Sequence, residues 1–304
     1  MRGIPLSRLG FGGGPVGNLF TAVSDEDAAG ALAAAWDAGI RYFDTAPHYG
    51  LGLSERRIGA FLRTRPRSGF AVSTKVGRVL EPFDGGGDDL AHSFAVPATH
   101  RRVWDFSADG VRRSLESSLD RMGLDRVDVV YVHDPDEHWE QAASRAVPAL
   151  VELRDQGVVG AIGVGMNQWG MLARFVRETD LDAVLLAGRY TLLDRSGLEL
   201  LELCAERGVA VVAAGVFNSG LLAAPGAGTT YDYRAAPPEL VERARRIARA
   251  CERHGVPLPL AALRFPLRHP AVASVLLGMR TAAEVRANTS AAEVPEALWA
   301  ELER

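Results

Sequence analysis

Four polar residues have the side chains needed for acid–base chemistry on a carbonyl or an alcohol. Asp44, Lys75 and His133 each end a short apolar run, and Tyr49 follows Asp44 in the segment FDTAPHYG. A phenol is a poor proton donor near neutral pH, because its reference pKa is about 10. A neighbouring lysine would lower that pKa, and an aspartate would keep the lysine charged. An imidazole could then donate a hydrogen bond to the substrate oxygen.

These residues are positioned by a regular alternation of strands and helices. Apolar, β-branched runs predict strands at 8–12, 40–44, 70–75, 127–133, 158–164, 182–187, 209–214 and 274–278. Helical patterns lie between and after them, at 25–38, 54–64, 107–122, 139–156, 169–178, 195–207, 238–253 and 281–288. The alternation predicts an α/β fold with parallel strands, and its repetition predicts a closed (β/α)8 TIM barrel.

The ends of the predicted strands indicate where the site should lie. In a barrel of this kind the active site is at the carboxyl ends of the strands, so the polar residues that end the runs should face one mouth. Asn167 joins the four residues above by this criterion. Two long connections, about 76–106 and 215–237, follow the third and seventh strands and should shape a substrate pocket. We expect one barrel domain over 1–304.

Bulk composition excludes several classes of protein. A chain of 304 residues with 47% apolar and 24% charged residues is typical of a globular protein. A net charge of −4 gives no general attraction to nucleic acid or to an anionic membrane, and no apolar run is long enough to span one. Cys204 and Cys251 have no metal or redox spacing, and we expect the N-terminal segment not to be a signal peptide, because no long apolar run follows its basic start. We expect a cytoplasmic protein without a metal, and the oligomeric state stays open.

The motifs together resemble those of the aldo-keto reductase family over nearly the whole chain. The matching segments are LGFG at 9–12, FDTA at 43–46 with Tyr49 and Gly50, SERRIG at 54–59, STKVG at 73–77 and YVH at 131–133. The segments HDPD at 133–136 and GRYTLLD at 188–194 resemble its aldose dehydrogenase branch. That branch includes L-fucose, L-galactose and D-threo-aldose dehydrogenases and pyridoxal 4-dehydrogenase.

The resemblance implies a hydride transfer between NAD or NADP and a sugar C1 hydroxyl or carbonyl group. Tyr49 would be the proton donor or acceptor, Lys75 and Asp44 would tune it, and His133 would orient the substrate oxygen. Asn167 would donate to the nicotinamide carboxamide. The cofactor-binding positions implied are Gly13 at the first strand, Ser219 and Leu221 at the pyrophosphate, and Gly278, Met279, Arg280, Glu284 and Asn288 at the adenosine end.

The choice between NAD and NADP depends on two charged residues. Glu284 stands where family members that bind the 2′-phosphate often have arginine, and its carboxylate would repel that phosphate. Arg280 would attract it, so the sequence favours NAD while dual use stays open. Three further positions depart from the family pattern: Met166 replaces serine, Ala187 replaces glutamine, and Ala214 replaces the tyrosine that stacks on nicotinamide, a role that Phe217 could take over.

Other interpretations stay open or are less favoured. The segment GGGPVG at 12–17 fits the dinucleotide-binding pattern G-x-G-x-x-G, but the next helix begins only near Asp25, so we expect these glycines to admit the cofactor to a barrel strand. The alternatives to an aldose dehydrogenase are a general aldehyde or ketone reductase and a cofactor-binding regulatory subunit. Further pocket candidates are the aromatic residues His48, Trp104, Trp169, Phe217 and Tyr231 and the polar residues Arg78 and Asn218.

Overall fold

A closed barrel of eight parallel strands forms the centre of the computed structural model, which describes residues 1–226, 230–231, 234–290 and 292–303. In the chain order, each strand pairs in parallel with the next, and the first closes the ring against the last. The (β/α)8 prediction is therefore confirmed. The strands are β1 (Leu9–Gly12), β2 (Tyr42–Asp44), β3 (Ala71–Val76), β4 (Val129–His133), β5 (Ala161–Met166), β6 (Ala183–Ala187), β7 (Ala210–Ala214) and β8 (Val272–Gly278).

Helices surround the barrel close to their predicted positions. Ser24 and Ser107 cap the first and third of them, since each hydroxyl accepts a backbone N–H at 3.0 Å. The predicted helix at 139–156 consists of Trp139–Gln141, a π-helical segment at Ala142–Ala146, and Val147–Asp155. The other barrel helices are Asp25–Asp37, Leu53–Leu62, Ala108–Met122, Trp169–Glu178, Leu198–Arg207, Pro238–Arg253 and Ala282–Asn288, and the sequence analysis missed Leu258–Arg264 and Glu296–Leu302.

Strand β5 begins later than the apolar run at 158–164 predicts. The backbone N–H of Val158 donates to the Leu153 carbonyl at 2.9 Å, and Gly157 has φ of +75°. The start of the run therefore belongs to the terminal turn of the preceding helix, where left-handed glycine is common. The strand continues instead to Met166, which places Asn167 directly at the barrel mouth.

Side chains fill the barrel interior, as in other barrels of this type. Tyr42, Tyr131, Leu185 and Leu276 belong to this inner cluster, and the N-terminal residues Met1, Ile4 and Leu6 pack against it. A larger apolar layer lies between the strands and the helices. The barrel is consequently a packed core, and its mouth at the carboxyl ends of the strands is where a ligand has room.

The long connection after β3 folds into short antiparallel strand pairs. Arg78–Pro82 pairs antiparallel with His100–Trp104, and the short strands Asp88–Asp89 and Phe94–Pro97 pair beside them. Of the other predicted loop, 215–237, residues 227–229 and 232–233 lie outside the described part of the chain. None of the described helices is both long and apolar enough to cross a membrane.

Candidate active site

A cavity of about 780 Å³ opens at the carboxyl ends of the barrel strands. It brings together residues from several strand ends, as the sequence predicts. Among the predicted site residues, those that line it are Asp44, Tyr49, Lys75, His133, Gly13, Asn167 and Gly278. All four members of the predicted acid–base group therefore face one space.

Lys75 and Asp44 form a buried ion pair at the floor of this cavity. The ammonium donates to Asp44 Oδ2 at 2.6 Å and to the Thr45 carbonyl at 2.9 Å, and both side chains are almost completely buried. Burial by itself lowers the pKa of Lys75, but Asp44 and Tyr49 outweigh it and raise the pKa above its usual value. The lysine is therefore held charged and in one position.

Ser73 binds the other carboxylate oxygen of Asp44, a contact that the sequence analysis missed. Its hydroxyl donates to Asp44 Oδ1 at 2.7 Å and lies 2.9 Å from the Tyr42 hydroxyl. Tyr42 and Tyr131, 3.3 Å apart at their hydroxyls, continue this polar line into the barrel. Residues two apart on a strand share a face, so the position of Ser73 relative to Lys75 was the signal that could have identified it.

Tyr49 lies beside Lys75 in the loop that follows β2. The Lys75 ammonium is 4.7 Å from the centre of the Tyr49 ring. Burial raises the pKa of Tyr49 to about 12, while the Lys75 charge opposes the rise and Asp44 adds to it. Lysine acts in the expected direction, but burial outweighs it, so the net pKa lies above that of a free phenol. Tyr49 is accordingly protonated at neutral pH, and its hydroxyl can act as a donor.

His133 completes the group as a neutral imidazole. Its ring centre is 5.9 Å from that of Tyr49, with the planes nearly perpendicular. Burial lowers the pKa of His133 well below its usual value, and the charges of Arg78 and Lys75 add to this effect. Among the described residues none forms a hydrogen bond with its buried Nδ1. A neutral ring beside the tyrosine keeps one N–H for a substrate oxygen.

Arg78 and Trp104, two of the further candidates, also line the cavity. The Arg78 guanidinium forms an ion pair with Asp134 and stacks 4.5 Å from the centre of a Trp104 ring. His48 is the third of these candidates in the lining, whereas Trp169, Phe217, Tyr231 and Asn218 are absent from it. The expectation that Phe217 replaces a stacking tyrosine finds no support, because its side chain packs against the two core clusters on either side of it.

The predicted cofactor residues divide into two groups. Gly13, Asn167 and Gly278 line the cavity, and Ser219, Leu221, Met279, Arg280, Glu284 and Asn288 do not. Leu221 and Met279 are completely buried in the core. Ser219 lies in a turn where residues 218, 219 and 220 all have positive φ. Such backbone is costly for residues other than glycine and is concentrated at ligand sites.

Gly13 lines the cavity and also packs closely against protein on the side where a Cβ would lie. A Cβ there would lie 2.5 Å from Ser54 Oγ and 2.7 Å from the Asp44 carbonyl oxygen. Its N–H also donates to that carbonyl at 2.8 Å. The absence of a side chain therefore lets the end of β1 pack closely on the end of β2, and the approach of these glycines to the cofactor stays a prediction.

Comparison with known proteins shows the family of the chain. Residues 8–303 match the profile of the Aldo/keto reductase family. The chain belongs to the aldo/keto reductase family. It is 50% identical to D-threo-aldose 1-dehydrogenase from a Pseudomonas species, with 99% of this chain and 94% of that protein covered. It is 41% identical to pyridoxal 4-dehydrogenase from Microbacterium luteolum, with the same two coverages.

A solved structure gives the same fold. The aldo-keto reductase from Bacillus halodurans, in its holo form, superposes with a TM-score of 0.76 at 24% identity, covering 98% of this chain and 91% of that one. Like its relatives, this aldo/keto reductase is an oxidoreductase that acts between an alcohol and a carbonyl group with a nicotinamide dinucleotide.

The shape of the cavity of this aldo/keto reductase fits such a cofactor. The adjacent strands β6, β7, β8 and β1 end at the cavity in small residues, namely Ala187, Ala214, Gly278 and Gly12 to Gly14. On the other side, β2 and β4 end in Asp44 and His133, and Lys75 is the penultimate residue of β3. The small-residue side leaves space for a flat ring next to the acid–base group, with Asn167 at the edge between the two sides. When bound, a nicotinamide there would accept or donate the hydride.

Proposed function

We propose that this aldo/keto reductase oxidises the C1 hydroxyl of an aldose to a lactone, and in reverse reduces a carbonyl group. The observation that carries the proposal is the convergence of Asp44, Tyr49, Lys75 and His133 on one polar cavity. The similarity to D-threo-aldose 1-dehydrogenase supports an aldose as the substrate. The histidines and charged groups around the cavity supply hydrogen bonds that a polyhydroxylated substrate could use.

The geometry supports the following chemical roles. During oxidation the C1–H bond breaks and its hydride would go to the oxidised nicotinamide when that cofactor is bound, the O–H proton passes to the Tyr49 phenolate, and a C=O bond forms. Lys75 stabilises the phenolate, Asp44 holds Lys75, and the neutral His133 donates a hydrogen bond to the substrate oxygen. In the reverse direction the Tyr49 hydroxyl donates its proton to the oxygen of the carbonyl group.

Substrate profiling tests this function. Purified protein is given NAD+ or NADP+ with a panel of aldoses and pyridoxal, and the formation of reduced nicotinamide is followed by absorbance. We expect turnover with one or more aldoses. Failure with all of them, combined with reduction of simple aldehydes, would instead identify a general reductase and overturn the aldose assignment.

We propose also that NAD is preferred over NADP. Arg280, the residue that would attract a 2′-phosphate, is occupied by Glu284: its Nε and Nη2 donate to Glu284 Oε1 at 3.0 and 2.8 Å. Its backbone N–H donates to the other carboxylate oxygen at 2.7 Å. A phosphate would have to displace this carboxylate and tolerate its charge.

Glu284→Gln should shift the preference towards NADP. The substitution removes the negative charge and frees Arg280, so we expect the NADP+ KM to fall roughly tenfold, equal to about 1.4 kcal/mol, with little change for NAD+. Glu296→Gln, at another exposed carboxylate that pairs with an arginine, is the control. An equal effect on both cofactors would argue against the role of Glu284.

The predictions of a cytoplasmic location and of a single domain remain proposals as well. Cys204 and Cys251 are free and buried, and burial raises the pKa of the Cys204 thiol to about 12 and that of Cys251 to about 11, which disfavours the reactive thiolate at both positions. This supports a protein of the cytoplasm, where thiols stay reduced. The match over residues 8–303 supports a single barrel domain over 1–304.

A further inference from the structure

His48 is held in one tautomer by a residue of the long connection after β3. Arg102 Nε lies 2.5 Å from His48 Nδ1. A guanidinium has donors and no acceptor, so Nδ1 must be the acceptor in this contact. The proton of the neutral imidazole is therefore on Nε2. In the described part of the chain no acceptor bonds that N–H, and His48 lines the cavity.

Arg102 is itself fixed in place. Its Nη1 and Nη2 donate to both oxygens of Asp89 at 2.7 and 2.6 Å, and Nη2 also donates to the His48 carbonyl at 2.9 Å. The side chains of Arg102 and Asp89 are 8% and 5% exposed, so this bidentate pair is shielded from solvent. Phe94 packs edge-on against the His48 ring, with the centres 5.1 Å apart. The imidazole thus has one orientation and one tautomer.

The charge state of His48 agrees with this geometry. Burial lowers the pKa of His48 to about 2, and the positive charges of Arg78 and Arg102 contribute in the same direction. The ring stays neutral at physiological pH, and its donor does not depend on protonation.

His48 lies next to the acid–base group. Its ring centre is 5.7 Å from that of His133 and 6.1 Å from that of Tyr49, and Tyr49 and His133 are 5.9 Å apart. The three rings form a nearly equilateral triangle at the cavity wall. If the reacting oxygen of the substrate lies between Tyr49 and His133, a group on the adjacent carbon is within reach of the His48 ring.

We propose that His48 is a specificity-determining donor, whose Nε2–H binds a hydroxyl group on the carbon adjacent to the reacting one, and that Arg102 is its positioning residue. The inference rests on the proposed function only in placing the reacting oxygen between Tyr49 and His133. It assigns the substrate class as α-hydroxylated aldehydes and their cyclic hemiacetals, the sugars included.

The test compares two aldehydes that differ in hydroxylation, glyceraldehyde and propanal, in the reductive direction. For His48→Phe, which keeps a ring but removes the donor, we expect kcat/KM to fall about tenfold with glyceraldehyde and to change little with propanal. His48→Gln restores an N–H donor and should recover most of the loss. His100→Phe makes the same replacement outside the cavity lining, on the strand that carries Arg102, and should leave the ratio unchanged.

Arg102 is tested with the double variant Arg102→Met/Asp89→Asn, which leaves no unpaired charge buried. We expect its glyceraldehyde-to-propanal ratio to fall as in His48→Phe, and the ¹⁵N NMR signals of His48 to change from the pure Nε2–H tautomer to a mixture. Thermal unfolding shows whether the fold is retained. If the variant unfolds, the ¹⁵N spectrum of the wild type alone still decides, since an Nδ1–H tautomer would overturn the proposal.

The outcomes separate this inference from the proposed function. Wild-type protein that oxidises no aldose would defeat the aldose dehydrogenase assignment, yet the two-aldehyde comparison would still report on His48. Equal losses with glyceraldehyde and propanal in His48→Phe would overturn the specificity role, even if aldoses are good substrates.

Discussion

Each end of the barrel carries a buried ion pair, and the two pairs have opposite surroundings. At the mouth, Lys75 and Asp44 lie 2.6 Å apart beneath the cavity. At the amino ends of the strands, Arg154 donates to Asp180 at 2.5 Å and to Asp182 at 3.2 Å, and Asp182 also pairs with Arg2. Only the first pair lines the cavity.

The difference lies in how completely the polar groups are paired. At the amino end, Asp182 Oδ2 additionally accepts the Ile162 backbone N–H at 3.0 Å, and hydrogen bonding to Asp180 raises the pKa of Arg154. At the mouth, Tyr49 and His133 have strongly shifted pKa values and face the cavity. Paired charges at the amino ends of the strands stabilise the barrel, whereas groups at the mouth keep hydrogen-bonding capacity for a substrate.

The largest expected effect comes from Tyr49→Phe. The substitution removes the proton donor and acceptor but keeps the ring, so we expect kcat to fall by about 10³-fold, equal to about 4 kcal/mol of barrier. Steady-state kinetics with a good substrate measure the loss, and the thermal unfolding midpoint should stay within a few degrees of the wild type. A rate close to that of the wild type would eliminate Tyr49 as the acid–base residue.

Lys75→Met should produce a smaller loss that depends on pH. Because the Lys75 charge lowers the pKa of Tyr49, its removal raises that pKa further, and oxidation needs the phenolate. We expect a loss of about 10²-fold at neutral pH that is partly recovered as pH rises, since more phenolate forms. Tyr49→Phe is the matched control, because it has no phenol to ionise and should not recover. A pH profile with the wild-type shape would contradict the tuning role.

Arg154→Met tests the stabilising role of the ion pairs at the amino ends of the strands. The substitution leaves Asp182 and Asp180 without their shared partner, so we expect the free energy of unfolding to fall by about 2 kcal/mol. Catalytic rates should stay unchanged below the unfolding temperature, since none of these residues lines the cavity. Urea unfolding combined with kinetics measures both quantities. A loss of kcat in a fully folded variant would contradict the division of roles between the two ends.

Three members of the acid–base group could be predicted from the sequence because each carries a local signal, and Tyr49 was found by following the chain from Asp44 into the next loop. Asp44, Lys75 and His133 end apolar runs, and the barrel topology places such ends at one mouth. Arg102 carries no such signal: its position depends on how the connection at 76–106 folds into a hairpin and returns to His48. The orientation and tautomer of His48 are thus tertiary properties that strand and helix patterns do not encode.

The cofactor positions show a similar limit. Asn167 could be placed because it follows a strand, while Glu284 and Arg280 were recognised only through the family resemblance. Their mutual ion pair depends on the helix Ala282–Asn288, which begins with the Thr281 hydroxyl as its cap. Arg280 precedes the cap and lies outside the helix, so the rule for residues four apart on a helix face does not predict the pair.

The smallest expected effect is that of Arg2→Met at the same carboxylate as Arg154. Half of the Arg2 side chain is exposed, against 4% for Arg154, although both pair with Asp182. Solvent screens the exposed pair, so we expect a loss of about 0.5 kcal/mol in the free energy of unfolding. The two variants share a partner and differ in burial. Arg2→Met could instead lower the free energy of unfolding as much as Arg154→Met does. Loss of either arginine partner of Asp182 would then have the same effect, and burial of the ion pair would not explain the loss.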